Sequence, residues 1–160
     1  MKQELIQIIM AFGGTFGFSA FLHIDKNKLI PVSFAGAFTW ALFLASRHWS
    51  GNEMVGLFLA AAVASIMAEI FARIMKAPST VFLISMLVPL IPGGNLYYTM
   101  SHLVLGEGAE FNVYLRLVLW EASSIALGVM AVVSVVHLIQ QLGSYWAKQS
   151  KEHKIGRSTE

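Results

Sequence analysis

Few side chains in this sequence can do chemistry, and those that can lie inside apolar runs. Glu69 and Arg73 stand four residues apart, and Glu121 has no basic residue nearer than Arg116, five positions back. The stretch VPLIPGGNLYY, residues 88–98, sets two prolines and two adjacent glycines into another apolar run. An acid in such surroundings must face protein or water, which makes Glu69 and Glu121 the candidate proton-coupling groups. The prolines withdraw two backbone donors and the glycines permit dihedrals that other residues avoid, so a helix should break at Pro92, Gly93 and Gly94. A half-helix restarting there presents free N–H groups and the positive end of its dipole, a seat for a carboxylate. Asn95 is placed to cap that half-helix, and Tyr97 or Tyr98 to line the pocket, completing a substrate-binding set with Pro92, Gly93 and Gly94.

Each feature also has a plainer reading. Glu69 and Arg73 share a helix face with Ser65 and Ala61, so they can be a satisfied ion pair whose arginine snorkels to the interface. Glu121 can be a hydrogen-bonded structural acid, and the break a proline kink that serves packing. Two prolines, two glycines and a following asparagine favour an unwound segment over a simple kink. His102 and His137 fall near helix ends and read as interfacial, while His23 and Asp25 read as solvated residues at a membrane edge, so no metal site is expected. With no cysteine in the chain, disulfides and thiol nucleophiles are excluded. No H-E-x-x-H, G-x-S-x-G or P-loop pattern occurs, and neither an enzyme nor a cofactor is expected.

The elements that must position these residues are membrane spans. The chain has 160 residues, 56% hydrophobic and 12% charged, and its apolar stretches of about 20 residues are long enough at ~1.5 Å per residue to cross a ~30 Å hydrocarbon core. Cutting at charges, Asn and Pro predicts an all-α bundle of five spans, about 5–24, 29–46, 54–75, 80–105 and 114–142, the fourth interrupted at Pro92, Gly93 and Gly94. Residues 1–145 then form one transmembrane domain and 146–160 a polar cytoplasmic tail. The middle of the fourth span falls at Pro92 and Gly93, which predicts a break near the bilayer midplane. Lys2, Arg47 and Arg116 fall on one side of the membrane, and Lys26, Lys28, Arg73, Lys76, Lys148, Lys151, Lys154 and Arg157 on the other. The positive-inside rule then puts the N-terminus outside and the C-terminus in the cytoplasm. A net charge of +2 spread this way gives no footing for nucleic-acid binding.

Small residues recur at helical spacing on three spans: Gly13, Gly17 and Ala20; Ser33, Ala37, Ala41 and Ala45; Ala61, Ser65, Ala68 and Ala72. In lipid such stripes let helix backbones approach closely, within the chain or against another subunit.

The run MAEIFARIMKAPSTVFLISMLVPLIPGGNLYYTM, Met67–Met100, resembles the corresponding region of the threonine/serine exporter family, especially its small split-type subunits. The likeness rests on Glu69, Arg73, Lys76, Pro78, Pro89, Pro92, Gly93, Tyr97 or Tyr98, and Met100. It implies a bacterial cell-membrane exporter of serine and threonine, or of a dicarboxylate such as succinate, driven by the proton motive force. It also implies a larger homologous membrane subunit as partner. Two related five-span halves in tandem must have opposite orientations, because five is odd, and an inverted repeat results. The competing expectation is a structural membrane subunit that assembles or stabilises a partner transporter without touching substrate.

Overall fold

The computed structural model describes the backbone of residues 2–156 and the side chains of 2–139 and 141. Among the described residues the chain is all helical, with no strand. The helices are α1 (Lys2–Phe21), α2 (Lys26–Ser50), α3 (Glu53–Met75), α4 (Ser79–Leu87), α5 (Gly93–Leu105) and α6 (Gly108–Gly156). A single 3₁₀ turn, Val88–Leu90, extends α4. Four helices are long and apolar enough to cross a membrane, and a fifth span results if the bent pair Ser79–Leu90 and Gly93–Leu105 counts as one. The expected all-α membrane bundle fits this architecture, with four to five candidate spans.

Local chemistry sets the boundaries. Gly51 closes α2 at φ +64° and Gly106 closes α5 at φ +74°, left-handed conformations that glycine adopts without a Cβ penalty. Asn52 then caps α3 by accepting from Met54 N–H at 2.9 Å. At the opposite end of the α2–α3 pair, Asp25 and Lys28 meet at 2.6 Å in the α1–α2 turn, and Pro78 precedes α4, where a missing N–H does least harm. The fifth span expected over 114–142 lies inside α6, whose apolar part runs from Gly108 to Ile139. The tail expected over 146–160 continues α6 as far as Gly156, and residues 157–160 lie outside the described residues.

Packing follows the small residues, though on a different register from the stripes in two helices. On α3 Ala61, Ser65 and Ala68 of the stripe are buried and Ala72 is half-buried. On α2 Ser33 and Ala37 are buried but Ala45 is exposed, and the closest approach is at Gly36, where an added Cβ would collide with the Thr15 side chain of α1. On α1 the buried face is Ala11, Thr15 and Ser19, while Gly13, Gly17 and Ala20 point outward with open space around the two glycines. The reason is rotational: once Thr15 sits over Gly36, residues two positions away on a helix face the opposite direction.

α3 and α6 run parallel. Ser124 Oγ donates to Met54 O, Gly128 lies against Phe58 O and Ala61, and Val132 to His137 lie beside Ser65 to Glu69. A Cβ on Gly128 would come within 2.5 Å of Phe58 O, so the seam depends on a bare backbone there. α5 packs chiefly on α6, antiparallel to it, with Asn95 opposite Glu121 and Tyr98 opposite Tyr114.

The depth of the break differs from the sequence count. Residues 92–95 face Arg47 at the end of α2 and Glu53 at the start of α3, beside the polar turn that joins those helices, not the middle of the bundle. Counting along the chain misjudges depth because α4 and α5 are bent 66° apart. After the break the chain leaves α2 and α3 and follows α6.

Candidate functional site

The site begins where α4 fails. Leu90 closes the 3₁₀ turn, buried among Phe43, Leu57, Ala60 and Ala61, which anchors the chain before the break. Ile91 is extended and Pro92 flanks α5, which restarts at Gly93. Gly93 N–H turns back onto Ile91 O at 2.7 Å, and Leu96 N–H makes the first helical bond, to Pro92 O at 3.0 Å. The N–H groups of Gly94 and Asn95 have no hydrogen-bond partner among the described residues, as a helix start requires. Neither Gly93 nor Gly94 has a positive φ, and an added Cβ on either meets nothing within 4 Å. The glycines are thus not needed for an unusual dihedral. What they leave is uncovered backbone facing open space.

Asn95 does not cap the helix. Its Nδ2 donates to Glu121 Oε1 at 2.7 Å, joining α5 to α6. A carboxylate only accepts, so the amide must present its NH₂. Glu121 is 5% exposed, and its Oε2 is buried with no partner among the described residues. A buried carboxyl oxygen left in this way is costly.

Asn95 and Glu121 open onto a cavity of about 310 Å³ that also takes in Pro92, Gly93, Gly94, Arg47 and Glu53. Its rim carries an ion pair, Arg47 Nη1 to Glu53 Oε1 at 3.5 Å, with both side chains roughly half exposed. Such a pair is weakly held, so the guanidinium is exchangeable between Glu53 and any other carboxylate that reaches it. The cavity therefore offers a cation and two unbonded N–H groups to an anion, and a buried acid beside them.

The remaining expected residues lie elsewhere. Tyr97 and Tyr98 do not line this cavity; Tyr97 is 69% exposed, and Tyr98 stacks on Tyr114 at 5.2 Å, which in turn stacks on His102 at 5.2 Å. Their rings hold the α5–α6 hairpin together, with His102 Nδ1 and Glu107 Oε2 meeting at 2.5 Å near its turn. Glu69 and Arg73 form the expected ion pair at 3.1 Å. Glu69 also lines a second cavity, of about 230 Å³, with Ser65, Ser79 and His137.

Sequence reasoning missed Arg47, Glu53, Trp40 and Gln7, all of which line the first cavity. Arg47 was spent on membrane orientation. Trp40 and Arg47 lie seven residues apart, two turns along one face of α2, and that spacing was the available signal. Gln7 gave none, since only the α1–α2 packing brings it to the cavity.

No curated protein and no solved structure matches the chain. A family model described as "Threonine/Serine exporter, ThrE" matches residues 7–135, which takes in most of α1, all of α2 to α5, the break and the part of α6 that carries Glu121. That match spans most of the sequence, so the protein belongs to the threonine/serine exporter family and is a multi-pass membrane transporter of that type.

Proposed function

We propose that this chain is one half of a secondary exporter for small carboxylate-bearing solutes: serine, threonine or a dicarboxylate such as succinate. The observation that carries this reading is the meeting, in one cavity of about 310 Å³, of Arg47, the open start of α5 and the buried, incompletely bonded Glu121. That volume is at the small end of ligand sites. The solute carboxylate takes the Arg47 guanidinium from Glu53 and accepts from Gly94 and Asn95 N–H. Pro92 and Gly93 contribute by ending α4 there and keeping side-chain bulk away.

Glu121 is the proposed proton carrier. The groups around it are Asn95 on α5, Arg47 on α2, Glu53 on α3 and Gln7 on α1, so Arg47 is the charge of opposite sign that lines its cavity. Oε1 is held by Asn95, leaving Oε2 to take and release the proton. Binding a solute at Arg47 redirects that cation and alters the balance between charged and neutral Glu121, which is the coupling a proton-driven exporter requires. Glu69, already paired with Arg73, is the weaker candidate for this role.

The chain is set in a bacterial cell membrane with its N-terminus outside, paired with a larger homologous subunit. An outward face of Gly13, Gly17 and Ala20 on α1 supports such a contact, and it also favours the second reading, a subunit that only assembles its partner. Labelled serine, threonine and succinate efflux from cells carrying the partner with and without this chain separates the two. The transporter reading expects export to need both chains. Full export by the partner alone leaves only the assembly role.

A further inference from the structure

A solute held at the break has to leave it, and the cavities that adjoin the break meet at Gln7. Its side chain lines the cavity at the break and two others. Beyond the first turn of α1 the polar side chains are Gln7, Thr15 and Ser19; Thr15 and Ser19 are buried, whereas Gln7 is exposed. An amide on so apolar a helix faces water or polar groups rather than lipid. One adjoining cavity, of about 240 Å³, follows α1 along Met10, Ala11, Val88 and Pro89 and gives a charged solute little to bind. The other, of about 440 Å³, is polar, with Gln3, Glu4, Arg47 and His48 around it where α1 begins and α2 ends.

The polar cavity and the break cavity share Gln7, Leu44 and Arg47. Leu44, Arg47 and His48 stand on one face of α2, and Gln3 and Gln7 one turn apart on α1. The boundary between the two cavities is therefore one apolar side chain and two long, flexible polar ones. Arg47 is roughly half exposed and only loosely paired with Glu53 at 3.5 Å, and because it borders both cavities it can follow a carboxylate from one to the other. The Gln7 amide has donors and an acceptor but no charge, so it can meet a carboxylate or an ammonium in passing without trapping either. We propose that the cavity of about 440 Å³ is the vestibule through which the solute leaves the break, and that Gln7 and Arg47 form the gate between the two. The orientation proposed above puts this vestibule on the outer side. This rests on the carboxylate reading of the break and adds the route to it.

The chain has no cysteine of its own, so one introduced thiol reports where a membrane-impermeant thiol reagent can reach, read as the mass of this chain taken from the complete transporter. Gly94→Cys puts the thiol at the break, where an added Cβ meets nothing within 4 Å, and His48→Cys puts it in the vestibule. Both should be modified from the same side of the membrane. Adding Gln7→Trp should abolish modification of Gly94→Cys and leave that of His48→Cys unchanged, which also shows that the protein with the added indole is folded. Modification of Gly94→Cys from the side opposite to His48→Cys, or from neither side, would overturn the proposal with no change made at Gln7. So would a Gln7→Trp substitution that slows both thiols alike, or neither. The carboxylate reading is tested separately in the same preparation, since excess threonine or succinate should protect Gly94→Cys. Absence of protection removes the bound carboxylate and takes this proposal with it, whereas protection without an effect of Gln7→Trp removes the route alone.

Discussion

Two acids lie along the α3–α6 seam, and they are handled differently. At one end Glu121 is buried, held by a neutral amide, and keeps one oxygen without a partner. At the other, Glu69 meets Arg73 on its own helix at 3.1 Å, close to where α3 ends. Each borders a cavity, and between them Gly128 lets α6 press against Phe58 and Ala61. A carboxylate paired with an arginine four residues away can persist as a structural charge, whereas Glu121 is held by a neutral amide and has no counter-charge within a turn on its own helix. That difference is what the proposed proton role of Glu121 rests on.

The contrast can be broken in several places. Gly93→Leu puts bulk into open space, so the protein should remain in the membrane while efflux falls to background; full export by that variant would remove the break from the binding site. Arg47→Gln should raise the KM for a carboxylate solute by about tenfold or more, the loss of a charge-assisted hydrogen bond, measured as the solute concentration giving half-maximal efflux. Gly128→Val acts on the seam between the two cavities: its first side-chain carbon would crowd Phe58 O, and overpacking of roughly 1–3 kcal/mol should appear as a lower Tm in detergent. Glu69→Gln is the smallest. It removes one side of a pair with a largely exposed arginine, so the stability change should stay near ~1 kcal/mol or less, with the pH response of efflux unaltered.

What the sequence made legible follows the same division. The spans, the break and the Glu69–Arg73 pair are local: hydropathy, two prolines and an i, i+4 spacing suffice to place them. Asn95 and Glu121 were both singled out, but each for itself, because their hydrogen bond joins positions 26 residues apart across the α5–α6 hairpin. Arg47 was counted as a topology charge, since nothing in its neighbourhood says that α4 will end beside it. The stripe on α1 left open whether it packs within the chain or against another subunit, and its outward direction is fixed by Thr15 against Gly36 rather than by α1 alone. Tyr97 and Tyr98 were drawn to the pocket by sequence proximity, yet their helix turns them toward α6 and outward.

The central claim is that Glu121 carries the coupled proton. Threonine efflux from cells carrying the complete transporter, measured across external pH for wild type and Glu121→Gln at equal membrane abundance, tests it most directly. The wild-type rate should change with pH and the Glu121→Gln rate should be flat. An unchanged pH dependence in Glu121→Gln would contradict the account.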